Sequence, residues 1–245
     1  MKQLKAEFLK IRHTFLIPLH IFVPGIAAVL FLLWTRASAR LQFLVYAEAI
    51  GIVFPVLASV ICAGDVEIEL PGHFQGFLMN PGKRESAFLA KWICLQVLAF
   101  LAVLGAILLY AVGNVFLLGN TEISAGQFFK TGLILWIGSL PLYLEHLFLN
   151  LRFSKAASLA VSIGQLLIAT LFLTGIGDGK WQYFPCSWSS RGAAMYLTEQ
   201  FNRKLPGRLF HMELGNIMIC ILLGVVLYAI ILIWFHFYEG RQENE

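Results

Sequence analysis

The chain has 245 residues, of which 59% are hydrophobic and only 13% charged, and its mean hydropathy is +0.77. Soluble globules carry about 25% charged and roughly 45–50% apolar residues, so this composition excludes a soluble enzyme, a disordered segment and a nucleic-acid-binding module. The net charge of +4 adds a weak attraction to anionic lipid; the chain reads as an integral membrane protein in contact with the lipid bilayer.

Residues 1–13 open the chain with Leu4, Phe8 and Ile11 on one helical face and Lys2, Lys5, Lys10 and Arg12 spread among them. That period predicts an amphipathic helix lying in the membrane interface. The competing reading is a plain positively charged flank. Crossing about 30 Å of hydrocarbon takes about 20 apolar residues. Six stretches qualify, near 14–34, 43–63, 88–118, 128–150, 156–176 and 214–237. The apolar run of the first exceeds the roughly 7–15 residues of a signal-peptide core, so it is read as a true span. The third is too long for one upright crossing, so it tilts or starts outside the hydrocarbon.

The expected fold is therefore all-α, with residues 1–245 forming a single transmembrane domain. With the N-terminus inside, the inner loops hold ten Lys and Arg residues and the outer loops eight, and the flanks of the first span favour the same orientation. The expected topology is multi-pass in the cell membrane with both termini cytoplasmic. No CxxC pair or Cys/His group has zinc spacing, so neither a metal nor another cofactor is predicted.

The loop between the second and third spans carries the most information. Pro71-Gly72 and Asn80-Pro81-Gly82 are strong helix breakers, and between them Phe74, Phe77 and Leu78 follow i, i+3, i+4 spacing. This predicts a short cytosolic helix with an aromatic stripe that needs a partner protein, lipid or the spans themselves to cover it. The string Glu69-x-x-Gly72-x-Phe74-Gln75-x-x-Leu78-x-x-Pro81-x-x-Arg84, followed by Lys91, resembles the coupling segment of six-span ABC exporter permeases. The interfacial first helix, the six spans and the long loop before the last span are similar to that family as well.

The resemblance implies that Glu69, Phe74, Gln75, Phe77 and Leu78 contact a separate ABC ATPase subunit. It also implies a second permease subunit, identical or related. Within the family the layout is similar to the lantibiotic self-immunity permeases. Tyr183-Phe184-Pro185-x-Ser187-Trp188-x-Ser190-Arg191 resembles an aromatic-Pro-Ser-aromatic-Ser-Arg string in those proteins. The implied substrate is a lantibiotic or similar amphipathic antimicrobial peptide, expelled to give producer self-immunity; the alternative is a permease for another amphiphile, such as a lipid or drug. The chain has no G-x-x-x-x-G-K-[ST] phosphate loop, and the resemblance implies that ATP is bound and hydrolysed by the partner subunit.

On the outer side, Trp181, Tyr183, Phe184 and Trp188 gather beside Arg191. Aromatic rings with polar edges favour the headgroup level, so they read either as interfacial anchors or as a surface for an amphipathic peptide. In the second reading Arg191 meets a carboxylate or lipid phosphate. The stretch Ser189–Phe201 predicts a helix capped by Ser189 or Ser190, dipping into the outer leaflet. Ionisable residues inside spans are functional suspects. Glu48 either lines a polar outer vestibule or pairs structurally. Glu145 and His146 raise the alternative of an intramembrane hydrolase, since Glu and His can do acid–base chemistry. No protease motif accompanies them, and a structural pairing of Glu145 with His146 or Arg152 is the favoured expectation. No catalytic residue is assigned.

Overall fold

A computed structural model describes residues 2–34, 37–72, 74–75, 84–202 and 208–240. Along them run eight α-helices: α1 (Lys2–Ile11), α2 (Leu16–Leu33), α3 (Ala39–Glu67), α4 (Arg84–Phe116), α5 (Ala125–Arg152), α6 (Lys155–Phe172), α7 (Pro185–Phe201) and α8 (Arg208–His236). Six of these, α2 to α6 and α8, are long and apolar enough to cross a membrane. The protein is a multi-pass helical membrane protein.

Local chemistry sets several starts. Ser38 accepts a hydrogen bond from the Leu41 N–H, and Ser154 does the same for Ala157. Ser124 and Gln127 form a reciprocal capping box ahead of α5, each device satisfying amide groups that the helix cannot pair internally. Proline supplies the first position of α7, where its missing N–H costs nothing. Pro24, Pro55 and Pro141 lie within continuous helices, as membrane helices tolerate.

The helices α3, α5 and α7 form the centre, while α2, α6 and α8 leave much of their apolar surface outward. One end of the core is aromatic. Tyr46 stacks on Tyr110 with ring centres 4.4 Å apart, and Phe43 meets Phe128 at 4.6 Å. The Tyr46 hydroxyl donates to the Ala106 carbonyl, and Tyr110 donates to Gln42 Oε1. Gln42 in turn donates to the carbonyls of Phe31 and Trp34, which ties the end of α2 to the start of α3.

At the opposite end Lys10 pairs with Glu69, His236 with Glu85, and the Tyr238 hydroxyl donates to the Leu151 carbonyl. The first helix, the end of α3, the start of α4, the end of α5 and the end of α8 thus share one face, as an even number of crossings requires. We call it the N-terminal face.

Two expectations need correcting. The helix expected over Ser189–Phe201 starts at Pro185, with no side-chain cap. Ser189 and Ser190 lie inside it and are fully buried. The helix α7 also packs inside the bundle. Gly51 and Gly138 sit against the backbone of Ser190 and Ser189, twelve and thirteen residues into α3 and α5, or roughly 18–20 Å from the first residues of those helices at 1.5 Å per residue. The segment between α6 and α8 therefore folds back into the bundle as far as the middle of α3 and α5. The third span runs over 33 residues, so its first turns belong to the N-terminal face.

Candidate functional site

The N-terminal face holds a buried charge cluster. Lys91 Nζ, on α4, lies 2.8 Å from Glu7, 3.1 Å from Asp65 and 3.2 Å from Glu69. Lys10 lies 2.8 Å from Glu7 and 2.6 Å from Glu69. Lys91, Asp65, Glu7 and Glu69 are all buried. Burial disfavours the ammonium of Lys10, but hydrogen bonds to Glu69 and Glu7 outweigh it and hold the lysine above its ordinary pKa. Three carboxylates share two ammonium groups, so the cluster binds α1, the end of α3 and α4 into one unit from which no member can leave cheaply. Glu7 is the member that sequence reasoning passed over. The signal was present, because Glu7 falls in the same stripe as Leu4, Phe8 and Ile11, and an acid on a buried face requires a cation.

The residues expected to meet an ATPase divide at this point. Glu69 is turned inward to Lys10 and Lys91. Phe74 is 2% exposed, packs edge-on against Tyr238 at 6.2 Å and has a left-handed backbone with φ 61°. Neither side chain faces outward. Gln75 is exposed. Phe77 and Leu78, and with them most of the helix expected over 72–80, lie outside the described residues.

Glu145 and His146 do not bond to each other. His146 is fully buried, with Nδ1 2.9 Å from Ser158 Oγ and Nε2 3.0 Å from Gln165 Oε1. Gln165 donates to Glu145 at 2.8 Å. Asn150 donates to Ser158, which also bonds Ser59. The expected Glu–His pairing is thus replaced by a glutamine bridge within a network that joins α3, α5 and α6. Both imidazole nitrogens are occupied, which is the arrangement of a structural histidine. Interhelical hydrogen bonds in membranes contribute about 0.6–2 kcal/mol each. Gln165→Leu breaks two of them and should lower stability by about 1–3 kcal/mol, measured by thermal unfolding of the purified protein, with membrane insertion unchanged.

The outer candidates also occupy other surroundings than expected. Trp181 and Trp188 are buried, and the Trp188 indole donates to the Gln182 carbonyl at 3.0 Å. The exposed rings are Tyr183 and Phe184. Arg191 pairs with Asp178 and donates to the carbonyls of Phe172 and Leu173, which closes the end of α6. Glu48 is half-buried in α3 within electrostatic reach of Arg191. Trp181 and Trp188 line a cavity of about 570 Å³ between α5, α7 and α8.

Comparisons with protein-family models, with curated proteins and with solved structures returned no match. The geometry and the chemistry of the residues are therefore the basis for function.

Proposed function

We propose that this chain is the membrane-spanning subunit of an ATP-driven ABC exporter. A separate ATPase subunit binds ATP and docks beneath the N-terminal face, which is cytoplasmic in this reading. A second permease subunit, identical or related, completes the transport unit. In this reading no catalytic, cofactor or metal-binding role is assigned to the chain itself. The observation that carries the reading is the buried charge cluster directly behind residues 70–75. A segment pushed from below transmits force only if it is fastened to the spans, and Glu69, fixed by Lys10 and Lys91, fastens it to α1 and α4. Gln75, Phe77 and Leu78 form the contact with the ATPase, while Glu69 and Phe74 act from within by holding the segment in place.

ATP-driven closure of the ATPases then shifts the segment and, through the cluster, the spans. The shift requires contacts whose free energy differs between the two states. The substrate is a lantibiotic or similar amphipathic antimicrobial peptide, as the resemblance implies. The alternative is another amphiphile, either lipid or drug. Glu145 and His146 serve packing in this reading, because their partners are already supplied by Gln165 and Ser158.

The test is co-purification. Full-length protein co-expressed with a candidate ABC ATPase subunit should retain that subunit and stimulate its activity. Phe77→Asp should reduce recovery of the ATPase at least roughly tenfold, as expected when a charge enters an apolar contact, while the protein still inserts into the membrane. Undiminished transport by Phe77→Asp would remove the docking assignment.

A further inference from the structure

The charge cluster on the N-terminal face does not balance. Among the described residues it sets three acids, Glu7, Asp65 and Glu69, against two ammonium groups, Lys10 and Lys91. With every group ionised, one negative charge is left over. The three acids and Lys91 are each no more than 6% exposed. An uncompensated charge is costly in such a place, and a buried acid escapes the cost by binding a proton.

The acids are not equivalent. Glu7 touches both lysines, each at 2.8 Å, and Glu69 touches Lys10 at 2.6 Å and Lys91 at 3.2 Å. Asp65 touches Lys91 alone, at 3.1 Å through Oδ2. Its Oδ1 has no hydrogen-bond partner, and the residue is fully buried. Ionisation would leave negative charge on that bare oxygen. The neighbours offer nothing positive in return: Cys62 on α3 and Cys94 on α4 are buried thiols within electrostatic reach of Asp65, and the adjacent Gly64 meets the apolar Phe15 and Leu16 beside the start of α2.

We infer that the cluster binds one proton beyond those of its two lysines, held on Asp65, and that this proton secures α1 to α3 and α4. With it, two carboxylates face two ammonium groups and the cluster is neutral. The folded protein then binds one more proton than the unfolded chain, so stability falls as the pH rises and the proton leaves. The element that loosens is α1, which is ten residues long and is not threaded through the membrane. The inference requires no ATPase partner, and its outcome is separate from that of the exporter reading.

The test uses the full-length protein in detergent between about pH 6 and about pH 9. The melting temperature should fall by at least about 3 °C over that range, and hydrogen-exchange protection of α1 relative to α5 should fall about tenfold. Asp65→Asn, which mimics the neutral acid, should match the unmodified protein at about pH 6 and lose both dependences. Glu7→Gln removes a carboxylate that serves two lysines and should melt at least about 4 °C lower at the same pH. Infrared difference spectra between the two pH values should show the carbonyl stretch of one neutral carboxylic acid, absent in Asp65→Asn. Exchanging sodium for choline at fixed pH should change nothing. A pH-independent melting temperature, an infrared signal that survives Asp65→Asn, or Asp65→Asn as unstable as Glu7→Gln would overturn the proposal. So would a loss of stability in choline, since the missing charge would then be a metal cation.

Discussion

Replacing Lys91 with methionine should destabilise the protein by about 3–5 kcal/mol, because it leaves Glu7, Asp65 and Glu69 buried around a missing charge. The three carboxylates lie within 3.2 Å of Lys91 Nζ, and Lys10 reaches only two of them. Thermal unfolding in detergent, followed by size-exclusion chromatography, measures the loss. The cause is separable from lost packing: adding Asp65→Asn and Glu7→Gln to Lys91→Met should recover more than half of the stability. The pair of Lys155 and Glu67 is the control. Its ammonium is largely exposed, and Lys155→Met should change stability by no more than about 1 kcal/mol. If Lys91→Met and Lys155→Met behave alike, the cluster is not a structural fastening.

The second large effect is steric. A Cβ at Gly51 would stand 2.5 Å from both the N and Cα of Ser190, and one at Gly138 would stand 2.6 Å from the N of Ser189. Backbone on both sides offers no flexible side chain to yield. Each Gly→Ala change therefore has to push the re-entrant helix α7 off its seat, at about 1–3 kcal/mol or more for an overpacked core. Gly105, in α4, has nothing within 4 Å of the same position. Gly105→Ala should be neutral or stabilising, since alanine favours helix by about 1 kcal/mol over glycine. Melting temperatures of the three variants test the seat directly. Equal melting temperatures would mean that α7 is not wedged between α3 and α5.

The six spans were legible because a long apolar run in a membrane chain has one outcome, and the observed helices fall close to the expected ranges. The first helix was legible from its stripe. What its stripe did not reveal was the partner of Glu7, since an amphipathic pattern shows that an acid lies on the apolar side without revealing a counterion some eighty residues away. Lys91 carried the same information in reverse, as a cation beside Ala87, Phe88, Ala90 and Cys94, all buried. The seat of α7 was illegible for a different reason. Ser189 and Ser190 look like caps because serine so often ends a helix, but small side chains serve equally where two backbones touch, and only the glycines opposite them decide between the uses. Trp181 and Trp188 followed the statistics of interfacial rings until the fold supplied an interior for them. The glutamine bridge between Glu145 and His146 joins residues twenty apart on neighbouring helices, which no local pattern records.

The contact between Phe74 and Tyr238 has a consequence for the making of the protein. A phenylalanine in a left-handed backbone is held there by its surroundings rather than by its own preference, and the ring that faces it comes 164 positions later in the sequence. On the ribosome, the turn at residue 74 thus stays unfinished through three further crossings and acquires its final form only after the sixth has been threaded and its far end has folded back. A subunit that recognises the completed turn would, without any other sensor, leave truncated or half-inserted chains unassembled.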